Sequence, residues 1–230
     1  MRAKADPPAT PGPPEVIAFD VLETLFSMDS LQPVLVAAGG DASTLPTWFA
    51  HLLADGFALT AAREYRPFRD VAKDSLRAVL PKIKATAADK VLAAMAKLDV
   101  LPDAGPAMGR AVQQTRVVVV ANTSADMTRK LLAKGGLDAF VETTVTPEDV
   151  KQWKPGSDPY SYAAAIQSVP AEGMAMVTAH PWDVLGARKA GLTTGWCNRQ
   201  GRAFPSTFGA PVVTGATLLD VVEGLLALGG

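Results

Sequence analysis

Residues 16–26 read VIAFDVLETLF, and the fold turns on how that stretch is parsed. VIAFD is a short, almost wholly apolar burst of the kind that fills a buried strand, and the carboxylate of Asp20 stands at its end. Similar bursts recur at residues 116–122 (RVVVVAN), 173–179 (GMAMVTA) and 193–197 (TTGWC), with lesser ones at 140–145 (FVETTV) and 211–215 (PVVTG). Helix-length segments lie between the later bursts: ADMTRKLLAKGG, which ends on a Gly pair as a helix C-cap does, then DPYSYAAAIQSV and WDVLGARKAGL. Strand and helix therefore alternate as in an α/β protein whose parallel sheet is covered on both faces. In open sheets of this kind a ligand sits at the carboxyl ends of the strands, so chemistry is expected there.

The first burst is separated from the second by a stretch that does not alternate. Residues 31–38 (LQPVLVAA), 45–62 (LPTWFAHLLADGFALTAA), 66–80 (RPFRDVAKDSLRAVL) and 85–98 (ATAADKVLAAMAKL) carry apolar residues at spacings of three and four, which predicts helices. The expected organisation is a core of residues 15–29 and 100–230 and a helical cap domain of residues 30–99, inserted after the first strand over the strand ends. Hinges are expected near residues 27–30 and 98–105. Residues 1–14, with five prolines, are expected to form a disordered leader.

Composition narrows the function classes. With 22 basic and 23 acidic residues spread along 230, no charged stripe recruits nucleic acid or an anionic membrane. No apolar run approaches the roughly 18 residues of a spanning helix, and the leader lacks the apolar segment of a secretory signal. The single cysteine, Cys197, excludes an internal disulfide and suits a cytoplasmic location. Two histidines, His51 and His180, are too few and too far apart in sequence for a zinc site, and no P-loop, GxGxxG or GxSxG elbow is present.

Four polar residues fall at the ends of the apolar bursts or in the loops beyond them: Asp20, Asn122, Lys154 and Asp183. Taken singly, each has a plainer explanation as a cap, a turn residue or a solvated lysine. Together, two carboxylates and a lysine at one sheet edge would form a charged cluster that tunes its own pKa values.

On these residues the chain resembles the haloacid dehalogenase superfamily, and within it the type II 2-haloacid dehalogenase-like hydrolases. The resemblance runs from about residue 16 to residue 228. It rests on the FDxxxTLF box (Asp20, Thr24, Leu25, Phe26), on the Lys154–Pro155 dipeptide with Tyr160, and on HPWDVLGARKAGLTTGWCNR at residues 180–199. It implies a Rossmann-like core with a helical cap, no cofactor or metal, a small-molecule substrate, and the homodimer common in the family, although no heptad here demands one. By the same resemblance Asp20 is the nucleophile that forms an aspartyl ester, and Lys154 keeps it ionised. Asp183 positions or deprotonates the hydrolytic water, while Thr24 and Asn122 hold carboxylate oxygens. Leu22, Phe49, Tyr160, His180 and Trp182 fall on the substrate side.

Leu22 sharpens the expected reaction. Phosphatases of the superfamily carry a second aspartate there, because an alkoxide leaving group needs a general acid. A halide leaves without one, so the position favours dehalogenation over phosphate transfer. The chain also departs from the family's dehalogenases: Leu22 replaces tyrosine, Glu23 glycine, Ala121 serine and His180 asparagine, and the cap arginine aligns with Phe49. Either another cap residue (Arg63, Arg66 or His51) takes the arginine's place, or the substrate is more apolar, in a pocket lined by Trp48, Phe49, Phe57 and Trp182. His180 is a candidate to assist Asp183 near the water. Two rival functions stay in view, a Mg²⁺-dependent phosphohydrolase and a catalytically degenerate binding protein.

Overall fold

A computed structural model describes residues 12–229, so the expected leader lies outside the described residues except for residues 12–14. In chain order the elements are β1 (Val16–Phe19), β2 (Phe26–Ser27), α1 (Gln32–Ala37), α2 (Thr44–Ala61), α3 (Phe68–Val79), α4 (Ala85–Met95), β3 (Asp99–Val100), α5 (Ala104–Ala111) and β4 (Arg116–Val120). They continue with α6 (Ala125–Gly135), β5 (Thr143–Val145), α7 (Pro147–Val150), α8 (Asp158–Ile166), β6 (Met174–Thr178), α9 (Pro181–Lys189), β7 (Thr193–Cys197), β8 (Val213–Gly215) and α10 (Leu218–Leu226).

Six strands form one parallel sheet in the order β5-β4-β1-β6-β7-β8. The chain builds outward from β1 through β4 to β5, then crosses to β6 on the other side of β1. The strand order therefore reverses at β1, and the ends of β1, β4 and β6 flank the switch point where such sheets bind ligands. Both faces of the sheet are covered. Ile17, Phe19, Val117 and Val119 face one apolar cluster with α5 and α10, and Val16, Ala18, Val118 and Val120 face another with α8. Each fully buried valine contributes on the order of 1.5–3 kcal/mol, which is why these strands read as continuous apolar runs.

Local signals set several helix ends. Ser124 caps α6, its hydroxyl accepting from the Met127 N–H, and Gly136 closes that helix in the left-handed conformation at φ 65°. A capping box between Thr217 and Asp220 opens α10. Neither α5 nor α10 is anticipated by sequence pattern. In α5 the run AGPAMGRA has weak helix propensity, and burial of Ala104, Ala107, Met108 and Ala111 on one face compensates.

Four helices, α1 to α4, separate β2 from β3. In α3 the buried residues Phe68, Val71, Ala72, Ser75 and Leu76 repeat at three and four and pack on α2, where Trp48, Leu52 and Gly56 are buried. Trp48 lies inside this helical unit, its Nε1 donating to the Ala72 carbonyl at 3.0 Å. Where hinges are expected, β2 and β3 pair antiparallel, and the Leu101 N–H donates to the Leu25 carbonyl at 2.8 Å. Strands of two residues are too short to carry a readable alternation, so the ribbon is invisible in the sequence.

Trp153 joins the helices to the sheet. Its indole Nε1 donates to the Arg66 carbonyl, its own carbonyl accepts from Thr60 Oγ1, both at 3.1 Å, and its ring stacks on Phe68. Gly56 leaves room for that ring, since a Cβ there would meet Trp153 Cε3 at 2.6 Å.

Candidate active site

The strand ends bring Asp20, Lys154 and Asp183 into one buried cluster. Asp20 follows β1 directly, Asp183 lies in the first turn of α9 beyond β6, and Lys154 comes from the loop between α7 and α8. Lys154 Nζ donates three hydrogen bonds of 2.8 Å, to Asp20 Oδ1, Asp183 Oδ2 and the Val120 carbonyl. All three ammonium protons are thus committed, and the side chain is fully buried. The second oxygen of each carboxylate is also occupied: Thr24 Oγ1 donates to Asp20 Oδ2 at 2.8 Å, and Tyr160 Oη donates to Asp183 Oδ1 at 2.6 Å.

This arrangement pushes the two carboxyls in opposite directions. Burial alone would raise Asp20, but the Lys154 charge, His180 and the bonds from Lys154 and Thr24 outweigh it and hold the carboxyl below its ordinary value. Burial raises Asp183, and although Lys154 draws it down, the neighbouring Asp20 charge adds to the rise and the net shift is upward. Burial would discharge Lys154, but the two carboxylates keep its pKa above the usual lysine value. A pair of carboxyls driven apart in this way can divide acid–base work, one staying ionised while the other takes up a proton more readily. Cys197 takes no such part, its thiol being pushed up to about 11 by burial.

The other expected residues divide. Asn122 does not hold a carboxylate oxygen. Its Oδ1 accepts from the Lys154 N–H at 2.8 Å and its Nδ2 donates to the Lys154 carbonyl at 3.1 Å, so it fixes the lysine's backbone instead. Tyr160 is fully buried behind Asp183 and is not on the substrate side. Gly186 lets α9 approach it, for a Cβ there would meet Tyr160 Oη at 2.6 Å. His180 Nε2 lies 3.6 Å from Asp20 Oδ2, and His180 meets Asp183 through the backbone, its carbonyl accepting from the Asp183 N–H at 3.1 Å. Its Nε2 is 2.9 Å from the Leu22 carbonyl, which can only accept, so that nitrogen carries the proton.

A narrow cavity of about 20 Å³ opens against Asp20, room for one or two water molecules. Leu22, Phe49, His180 and Trp182 line it as expected, together with Val21, Leu52, Leu53, Phe68, Asn122, Thr123 and Trp153. Phe49, Leu52 and Leu53 come from one face of α2, three and four residues apart. His180 stacks on Trp182 with centroids 5.1 Å apart and meets Phe49 at 5.9 Å, while Phe57 packs on Trp182 from behind. Trp182 Nε1 is the single buried side-chain nitrogen or oxygen among the described residues that has no hydrogen-bond partner. The three residues considered as substitutes for the cap arginine stay outside: His51, Arg63 and Arg66 are exposed and do not border the cavity.

The turn after Asp20 has a support with little local mark in the sequence. Arg199 donates to the carbonyls of Glu23 and Thr24 and pairs with both oxygens of Asp103, which also accepts from the Leu218 N–H. Glu23 sits at φ 59°, a conformation costly for a side chain, and its Oε1 accepts from the Met28 N–H at 2.7 Å. The NR dipeptide at residues 198–199 was the visible signal, while Asp103 carried none.

Among the described residues no group of three or more His, Cys, Asp or Glu side chains is arranged to hold a metal ion. Between Asp20 and Asp183 the cationic position is filled by Lys154. No helix of the described residues is long and apolar enough to cross a membrane.

A family model described as "Haloacid dehalogenase-like hydrolase" matches residues 76–197, more than half of the chain. Haloacetate dehalogenase H-2 of Moraxella sp. (strain B) is 24% identical over 224 residues, covering 93% of this chain and 98% of that protein. The crystal structure of an L-2-haloacid dehalogenase superposes with a TM-score of 0.87 at 22% identity, covering 94% of this chain and all of the other. That of L-2-haloacid dehalogenase from Xanthobacter autotrophicus with chloropropionic acid covalently bound gives 0.83 at 18% identity, covering 91% and 97%.

Proposed function

The chain belongs to the haloacid dehalogenase-like hydrolases, and from that premise we propose that it hydrolyses the carbon–halogen bond of a small organic substrate through an ester on Asp20. One observation carries the reading: a buried ammonium held 2.8 Å from each of two carboxylates, one with its pKa lowered and the other with its pKa raised. In this reading residues 30–99 act as the cap over the cavity.

In the first step a carboxylate oxygen of Asp20 attacks the halogen-bearing carbon and the halide departs with the bonding pair. Leu22 stands where an alkoxide leaving group would need an acid, and a halide needs none. What the halide needs is a donor in a dry site, and Trp182, which borders the cavity and carries a buried Nε1–H without a partner, fits that need. In the second step Asp183 takes a proton from water, the hydroxide adds to Asp20 Cγ, and the tetrahedral intermediate expels the alcohol. The departing oxygen recovers the proton held by Asp183. Lys154 holds both carboxylates in register and offsets the charge on the intermediate. The net change is organohalide plus water to alcohol, halide and a proton.

Nothing at the site favours the rival readings. A Mg²⁺ phosphohydrolase would need an acid in place of Leu22. A degenerate binding protein would have no reason to keep the Asp20–Lys154–Asp183 geometry. The decisive experiment is a single turnover in heavy-oxygen water: label must enter the Asp20 carboxylate before it reaches the alcohol. Label appearing in product alone would overturn the ester.

A further inference from the structure

Resting on the ester reading, we infer that the substrate is an uncharged organohalide, such as a haloamide or haloalkane, and not a haloacid anion. The ground is the charge inventory around the cavity. Asp20 and Asp183 are two carboxylates balanced by one ammonium, and that ammonium has all three protons committed within the cluster. A substrate carboxylate would bring a further negative charge within a few ångströms of Asp20 and would need a cation of its own.

Among the described residues the structure offers none. The wall facing Asp20 is built from Phe49, Leu52, Leu53, Phe68 and Trp153. Every arginine and lysine of α2, α3 and the turns between α2 and α4 is exposed or paired on the outer surface. Arg63 is solvent-facing, Arg66 pairs with Glu64, Arg69 and Lys73 with Asp89, and Arg77 with Asp74, while Lys82 and Lys84 are exposed. His180 borders the cavity, but its Nε2–H is given to the Leu22 carbonyl, and at 3.6 Å from Asp20 Oδ2 any charge it gained would be matched by that carboxylate. Main-chain N–H groups at strand ends can hold either a carbonyl or a carboxylate, but they bring no net charge to offset a further anion beside Asp20. Two like charges about 5 Å apart, at an effective dielectric constant of about 20, weaken binding by roughly two orders of magnitude.

The test compares chloroacetamide with chloroacetate, a pair alike in size and different in charge, on the unmodified enzyme. Each kcat/KM is divided by that compound's own rate of uncatalysed displacement. The amide is expected to show at least a tenfold larger rate enhancement. Equal enhancement, or a larger one for the acetate, overturns the inference. Adduct formation is read separately by intact mass on the Asp183→Asn enzyme, in which the ester should accumulate. Mass added at Asp20 by the amide and not by the acetate supports the inference. Adduct from the acetate and not from the amide overturns it while leaving the ester mechanism standing. Adduct from neither overturns the ester reading, and the inference falls with it.

Discussion

Tyr160→Phe removes one oxygen and tests whether Asp183 is the base. The Tyr160 hydroxyl donates to Asp183 Oδ1 at 2.6 Å in a fully buried setting, and Asp183 keeps only the Lys154 bond on its other oxygen when the hydroxyl is gone. A hydrogen bond to a charged group contributes about 1.5–3 kcal/mol, and about 1.4 kcal/mol corresponds to one pKa unit. The donor favours the ionised carboxylate, so its loss must raise the Asp183 pKa further, by about one to two units, above a value already raised in the native site. A general base works only when deprotonated. The acid limb of ester hydrolysis should therefore move to higher pH by that amount, with rates about 10- to 100-fold lower below the limb and nearly unchanged above it. The assay is hydrolysis of preformed ester in single turnovers across pH, which isolates the second step. Ester formation, governed by Asp20, should keep its own pH profile. An unshifted hydrolysis limb in the Tyr160→Phe enzyme, or a shift confined to ester formation, would refute the assignment of Asp183 as base.

Three further outcomes are expected. Lys154→Met leaves two buried carboxylates facing each other without a cation. This should cost about 3–5 kcal/mol and lower Tm by roughly 6–20 °C at neutral pH, with recovery on acidification as protonation of either carboxyl relieves the repulsion; calorimetry at several pH values reads both. Trp182→Phe keeps the ring between His180 and Phe57 but deletes the unpaired N–H. Stopped-flow measurement of halide release should show about a 10- to 100-fold slower first step with Tm unchanged or higher, and an unchanged rate would remove the indole from the leaving-group site. Glu23→Ala loses the bond to the Met28 N–H but keeps the left-handed backbone, so denaturant melts should show a loss of about 1 kcal/mol. Glu23→Gly should regain most of it because glycine adopts that backbone freely.

The sequence resolved those features that depend on residues near one another in the chain. Val117 to Val120 alternate between two apolar clusters, which is why RVVVV reads as a continuous burst and places the strand so closely. The three-and-four spacing of α3 was equally plain, and the Asp20–Lys154–Asp183 cluster followed once strand ends were taken as a common edge. What was lost depends on contacts distant in sequence. Trp48 and Phe49 are neighbours in α2, and only packing on α3 decides that the first enters the helical interior and the second faces Asp20. Asn122 looked like a carboxylate partner because both groups end strands, and the backbone course of residue 154 gave it other work. The support of Glu23 and Thr24 by Arg199 joins positions 175 and 176 residues apart and had no local mark beyond two letters.

Trp153 bears on how enzymes of this architecture can be recombined. The ribbon of β2 and β3 looks like the natural seam at which to exchange one helical segment for a relative's, since only two short strands cross it. Yet the indole of Trp153 is bonded to Arg66 and fitted against Gly56, while the next residue along its own backbone is Lys154. By contact this tryptophan belongs to the helices, and by covalent connection it belongs to the lysine loop. A chimera cut at the ribbon would leave it behind, and a larger residue at position 56 of the incoming segment would press on the loop that carries the ammonium. Viable exchanges should therefore treat residues 56, 60, 66 and 153 as one inherited block, although 153 lies more than fifty residues beyond the cut.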